Sequence, residues 1–259
     1  MAEDAGRNSV PVIDMQDFPG QLRRLIEACE DWGCFRIVNF GGIVTQSVMV
    51  EMKEVVRSLF ELPAEVKMRN VEVIAGSGYM APSEINPLYE ALGLYDMASV
   101  RAVDGFCSNL DATPHQSFTP ETVGLPGVQL HTDSSFLTVL QDDEVIGGLE
   151  VMKRCGKFEA VDPCPGSLLV NLGDIATVWS NGRFLNVKHR VMCKEAGTRL
   201  SIASFLLGPK EAPVEVPLRL VDQEHPRLYV PFVYQDYRKL RISNKLHIAE
   251  ALDRLRVQY

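Results

Sequence analysis

The chain has 259 residues, 46% of them apolar and 23% charged, with a formal net charge of -8 at pH 7. That length supports one domain with a substantial core, and the balance is that of an ordinary globular protein. The acidity, with no Lys/Arg cluster interleaved with aromatics, argues against nucleic-acid binding.

No apolar run approaches the ~20 residues that span a bilayer. Met1 to Val10 is polar and lacks the apolar core of a signal peptide, so a cytoplasmic location is expected. Six cysteines (Cys29, Cys34, Cys107, Cys155, Cys164 and Cys193) show no C-x-x-C spacing and read as free thiols of a reducing compartment.

In chain order, Val10 to Asp14 reads as a first strand. Gln21 to Trp32 is an amphipathic helix with Leu22, Leu25, Ile26 and Cys29 on one stripe, stopped at Gly33. Cys34 to Phe40 is a β-rich run. Thr45 is placed to cap a second helix that ends before Pro63, with Val48, Met52, Val55 and Leu59 inward. Gly76-Ser77-Gly78-Tyr79 marks a turn or bulge, and Asn86 to Asp111 shows little periodicity. From Val128 onward short strands alternate with turns: 130–133, 136–141, 149–152, 158–161, 167–172, 186–193 and 199–207. Asn181-Gly182 is a hairpin signal between them. This texture predicts a mainly β fold, a sandwich or double-sheet jelly roll with flanking helices. Lys245 to Arg256 is a predicted closing helix, with Leu246, Ala249, Leu252 and Leu255 in a stripe.

The chemistry concentrates in His131-Thr132-Asp133, His189 and Arg199-Leu200-Ser201. Residues two apart on a strand share a face, so His131 and Asp133 point together. His189 shares the apolar face of Leu185, Val187, Val191 and Cys193. Each of the three, taken singly, is more often structural. Together, two imidazoles and one carboxylate are the set that holds Fe(II) on one triangular face and leaves three positions open. Arg199 shares a face with Ser201, Ala203, Phe205 and Leu207. A guanidinium there needs an anion, because an unpaired buried charge is expensive. No Asp or Glu is evident nearby to supply it, so the carboxylate of a cosubstrate is the expected partner. Gly76-x-Gly78 lacks the rest of a dinucleotide-binding motif. Asp174 reads as a turn residue, and His115, His225 and His247 as surface or loop residues.

These segments together resemble the plant 2-oxoglutarate- and Fe(II)-dependent dioxygenases of the plant-hormone and flavonoid class. Val10 to Asp14, Ala28 to Phe35 and Leu59 to Pro63 resemble that family's first domain. Leu130 to Asp133, Leu149 to Val151, Val170 to Asp174, Trp179 to Gly182, Lys188 to Val191 and Arg199 to Ser201 resemble its catalytic barrel. Within the family, Gly76 to Tyr79, Asn86 to Glu90 and Asp236-Tyr237-Arg238 are most similar to the dioxygenases for auxin oxidation.

The resemblance implies a double-stranded β-helix, a cupin-like jelly roll, over 124–240. An N-terminal α/β region over 1–115 and a C-terminal helix over 241–259 would flank it. It implies Fe(II) on His131, Asp133 and His189, 2-oxoglutarate with its far carboxylate on Arg199 and Ser201, and O2 as oxidant. The implied substrate is a small molecule, indole-3-acetic acid, oxidised to 2-oxindole-3-acetic acid with release of succinate and CO2. A gibberellin or a flavonoid would use the same site residues. Tyr79, Met80, Phe136 and Phe205 are candidate pocket residues, or plain core packing.

One departure stands out. Family members carry a long helix and a barrel strand before the H-x-D strand, and that strand bears a Tyr that helps hold 2-oxoglutarate. Here Asp111 to Gly124 joins the two regions directly. A helix crossing a ~30 Å domain takes ~20 residues, so the chain reads as internally shortened. The expected consequences are exposed apolar surface and one missing cosubstrate contact. An impaired isoform that only binds metal or ligand is the competing reading.

Overall fold

A computed structural model describes residues 9–74, 77–110 and 126–258. Its N-terminal part is a β-α-β unit. Strand β1 (Val12–Asp14) leads through helix α1 (Leu22–Asp31) to β2 (Cys34–Val38), which runs parallel to β1. Gly33 ends α1 in the left-handed region, at φ 68°, where a side chain is strained. Helix α2 (Gln46–Phe60) follows, and the Thr45 hydroxyl accepts from the Val48 N–H as its cap. A single turn, α3 (Ala64–Lys67), leads to the short hairpin β3 (Tyr79–Met80) and β4 (Ala91–Leu92). Ser99 then caps α4 (Val100–Asn109), in the stretch whose pattern predicted nothing regular.

Both N-terminal apolar stripes sit differently from the expectation. On α1, Leu25, Ala28 and Cys29 pack inward, while Leu22 and Ile26 are exposed. On α2, Met49 is buried, while Val48, Met52 and Val55 are exposed. Polar anchors explain the rotation of α2. Gln141 donates its side-chain N–H to the Met49 carbonyl at 2.8 Å, and Lys53 donates to the Asp142 carbonyl at 2.5 Å. These bonds turn the Met49–Lys53 side of the helix toward the sheet and leave the valines outside.

Seven further strands follow: β5 (Pro126–His131), β6 (Leu137–Gln141), β7 (Leu149–Met152), β8 (Phe158–Ala160), β9 (Leu168–Leu172), β10 (Lys188–Met192) and β11 (Ile202–Leu206). Two sheets result, ordered β1-β2-β9-β6-β11 and β5-β10-β7-β8. Apart from β1–β2, all their pairings are antiparallel. Cys34 and Leu169 from the first sheet meet Leu149 and Val151 from the second in one buried cluster, so the sheets pack face to face as a jelly roll. A second cluster, with Ile13, Ala28, Cys29, Phe35 and Val170, glues α1 to the outer face of the first sheet.

The Asn181-Gly182 signal lies elsewhere than in a hairpin. Both residues have positive φ, 53° and 79°, but they follow helix α5 (Asp174–Trp179) and turn the chain back from it. The closing helix is also displaced. Helix α6 (Tyr234–Ser243) precedes the predicted span, crossing the 240/241 boundary, and only the turn α7 (Glu250–Asp253) lies within it. Lys245 and Ala249 adopt left-handed φ, 52° and 60°, which interrupts the helix. The Leu246, Ala249, Leu252 and Leu255 stripe still packs, against Ile175, Val178 and Tyr237. Among the described residues no helix is long and apolar enough to cross a membrane.

A Cβ at Gly33 would stand 2.2 Å from the Leu185 carbonyl oxygen, whereas one at Gly41 meets nothing within 4 Å. Gly33→Ala is expected to lower unfolding stability by about 3 kcal/mol. Gly41→Ala should change it by less than ~0.5 kcal/mol. Urea titration of both variants checks the contrast.

Candidate metal and cosubstrate site

Strands β5 and β10 pair so that His131 stands directly across from His189. Their rings lie 4.2 Å apart between centroids. Asp133 is not on the strand with His131, as the alternation predicted. It follows two residues after the strand ends and turns back, with its carboxylate buried beside both rings. Asp133 Oδ1 is 3.7 Å from His131 Nε2 and 3.9 Å from His189 Nε2. One donor atom from each of the three residues falls within 4.8 Å of the others, a spacing that admits a metal ion.

The protonation states suit ligation. His131 Nδ1 faces the Gln129 carbonyl at 2.8 Å, and His189 Nδ1 faces the Val187 carbonyl at 3.2 Å. A carbonyl can only accept, so Nδ1 carries the hydrogen on both rings and Nε2 is the nitrogen left to ligate. Burial, then the neighbouring His189, pushes the His131 pKa down to about 4, which keeps that imidazole neutral near pH 7. Thr138 on β6 donates to Asp133 Oδ2 at 2.5 Å, leaving Oδ1 to face the histidines.

Arg199 and Ser201 immediately precede β11, beside the Gln141–Asp142 end of β6, whereas Asp133 lies beyond the Leu137 end. Among the described residues neither is hydrogen-bonded or ion-paired to the three clustered residues. Arg199 does have a protein anion, contrary to the sequence expectation: its Nη2 pairs with Asp142. The two are 57 positions apart and meet only because β11 and β6 are paired. Burial raises the Asp142 pKa, against the pull of Arg199. Arg199 Nε is buried with no hydrogen-bond partner among the described residues, so one donor of the guanidinium fork is left unsatisfied. Two imidazoles and a carboxylate fit a borderline divalent cation such as Fe(II), and the unsatisfied guanidinium donor fits an anionic cosubstrate.

Of the candidate pocket residues, Phe205 is opposite Thr138 in the β6–β11 register and so shares its inward face, yet is 50% exposed. Phe136 packs edge-on against Trp179. Tyr79 donates to Glu90 at 2.5 Å, and Met80 is exposed. Sequence reasoning missed three groups. Tyr89 has its pKa raised by burial and next by the Asp133 carboxylate, which places its phenol near the site. Asn171, opposite Thr138 on β9, keeps a buried Oδ1 with no hydrogen-bond partner among the described residues. Asp174, fully buried, donates its backbone N–H to the Asp133 carbonyl at 2.8 Å. The motif Val170 to Asp174 was the available signal for the last two. Asp111 to Gly124 lies outside the described residues. Among those described, β11 is paired only with β6, and Phe205 and Leu206 on it are exposed.

The comparisons with known proteins agree with this geometry. The 2OG-Fe(II) oxygenase superfamily profile matches residues 111–208, and that of the N-terminal region of non-haem dioxygenases in morphine synthesis matches residues 10–91. The 2-oxoglutarate-dependent dioxygenase DAO of Oryza sativa subsp. indica is 44% identical, over 95% of this chain and 98% of its own. That alignment runs over 297 residues, more than the chain contains, so the rice protein carries residues that are lacking here. A crystal structure of the rice dioxygenase for auxin oxidation superposes with a TM-score of 0.84, at 43% identity over 96% of this chain and 100% of its own. Dioxygenase for auxin oxidation 1 from Arabidopsis thaliana, bound to 2-oxoglutarate, gives 0.78 at 48% identity, over 84% of this chain and 100% of its own. With near-complete coverage at that identity and a jelly roll that gathers two histidines and an aspartate, the chain belongs to the 2-oxoglutarate- and Fe(II)-dependent oxygenases.

Proposed function

We propose that this oxygenase oxidises indole-3-acetic acid at the indole ring to 2-oxindole-3-acetic acid. The observation that carries the reading is the His131, Asp133 and His189 group, in a barrel similar to those of dioxygenases for auxin oxidation. In this reading His131 Nε2, His189 Nε2 and one Asp133 oxygen would hold Fe(II). Bound Fe(II) with O2 supplies the oxidation: 2-oxoglutarate loses CO2 and gains one oxygen atom as succinate, and the other oxygen atom enters the substrate.

What the chain itself does is positional. The Gln129 and Val187 carbonyls hold both rings with Nε2 toward the Asp133 carboxylate, and Thr138 fixes that carboxylate. Arg199 takes the far carboxylate of 2-oxoglutarate on its unpaired donors, beside Ser201. Phe205, apolar and on the inward face, lines the approach for a flat aromatic substrate.

A second reading keeps the site without turnover. It is favoured by the 297-residue alignment and the exposed outer edge of β11. Succinate release separates the two. With Fe(II), 2-oxoglutarate and indole-3-acetic acid, the parent protein is expected to release succinate and a product one oxygen atom heavier than the substrate. His131→Ala, Asp133→Ala and His189→Ala should each abolish both signals. Full 2-oxoglutarate turnover in any of these variants removes the iron assignment. No succinate from the parent across a broad substrate panel favours the binding-only reading.

Asp142 gives an independent check on Arg199. Asp142→Asn removes the protein anion and leaves a largely buried guanidinium short of a partner, at a cost of about 2 kcal/mol. 2-Oxoglutarate restores a carboxylate there, so its addition should raise the melting temperature by several degrees more in Asp142→Asn than in the parent. An equal or smaller rise excludes Arg199 as the cosubstrate anchor.

A further inference from the structure

Thr132, between the two clustered residues of the H-x-D segment, is almost fully buried, and both its backbone polar groups are tied to the C-terminal part of the chain. Its N–H donates to the His247 carbonyl at 2.8 Å, and its carbonyl accepts from Arg241 Nη2 at 2.7 Å. Arg241 Nη1 lies 3.3 Å from the Thr132 hydroxyl and pairs with Asp174 Oδ2. Asp174 is 0% exposed. Besides Arg241, its carboxylate accepts from Tyr237 at 2.6 Å and from Asn186 at 2.7 Å. Its own backbone N–H holds the Asp133 carbonyl, as described above. Next to it, a Cβ at Gly173 would come within 2.2 Å of the Ser135 carbonyl, so the α5 start presses directly on the turn that carries Asp133.

A buried carboxylate with three donors and a guanidinium forked over a backbone carbonyl is more than local satisfaction of charge. A point charge at position 241 could neutralise Asp174, but only a planar fork reaches Asp174 and the Thr132 carbonyl at once. We infer that the Asp174–Arg241 pair is a positioning device for the metal ligands: it fixes the peptide between His131 and Asp133 and so sets the separation of their donor atoms. Arg241 touches neither ligand atom and acts through Thr132. The inference rests on the Fe(II) assignment of His131, Asp133 and His189.

The test is anaerobic Fe(II) titration of the full chain with 2-oxoglutarate. It reads the metal-to-ligand charge-transfer band, alongside the far-UV spectrum and melting temperature of the metal-free protein. Arg241→Lys keeps the charge on Asp174 and loses the fork. It is expected to bind Fe(II) 10- to 100-fold more weakly, the range for losing an outer partner of a metal site, with the far-UV spectrum of the parent. Arg36→Lys is the control, since Arg36 is even more deeply buried than Arg241 but bonds to Ser167 and Asp162 away from the site. It should lose stability and keep the Fe(II) affinity within 3-fold. Where Arg241→Lys does not fold, the charge-free double variant Asp174→Asn with Arg241→Gln takes its place, with the same expected loss.

Fe(II) affinity within 3-fold of the parent in a folded Arg241 variant overturns the inference. So does a loss of affinity that tracks melting temperature equally in Arg36→Lys and Arg241→Lys. A parent protein that binds no Fe(II) instead overturns the metal assignment itself, and this inference with it.

Discussion

The cross-strand pairing of His131 with His189 is the constraint from which the site follows. Opposed residues in an antiparallel pair have Cβ atoms within about 5.5 Å, so this register alone brings two imidazoles together from segments 58 positions apart. A slip of one residue would turn one ring to the other face. The register is held on both sides, because β10 also pairs with β7, with His189 opposite Val151 in the inter-sheet core. Everything else at the site is adjustment around that pair: the carbonyls on each Nδ1, the Thr138 hydroxyl on Asp133, and the turn that brings the carboxylate back.

Much of this was legible in the sequence because it is written in short-range signals. Alternation located β10 and β11, the Thr45 cap located α2, and turn residues separated the barrel strands. The residue types in H-x-D and His picked out the three side chains that the fold brings together. What escaped was decided by contacts distant in the chain. Arg199 was read as lacking a protein anion because Asp142 reaches it only through the β6–β11 pairing. The burial of Asp174 depends on Asn186, Tyr237 and Arg241, which no local pattern links to it. The rotation of α2 depends on bonds from Gln141 and Lys53. Asn181-Gly182 has the backbone geometry its composition favours, but it leaves a helix rather than joining two strands.

The first sheet ends differently at its two sides. At one side β1 and β2 from the N-terminal region extend it beyond the barrel, and α1 covers their outer face. At the other, β11 carries exposed Phe205 and Leu206, with no second strand partner among the described residues. Open strand edges offer unpaired backbone donors and acceptors. Arg199 and Ser201, on the segment leading into β11, therefore sit on the less supported side of the barrel, whereas the His131, Asp133 and His189 group is held by the second sheet, by Thr138 of β6 and by the start of α5.

The bond from Arg241 to the Thr132 carbonyl spans 109 positions. A ribosome emits the chain in order, so the H-x-D segment is made long before the side chain that braces it. Until α6 and the residues as far as His247 have emerged, Thr132 has neither of its backbone partners. If the Asp174–Arg241 pair sets the ligand spacing as inferred above, the seat for an ion is finished only by the last part of the chain to be made.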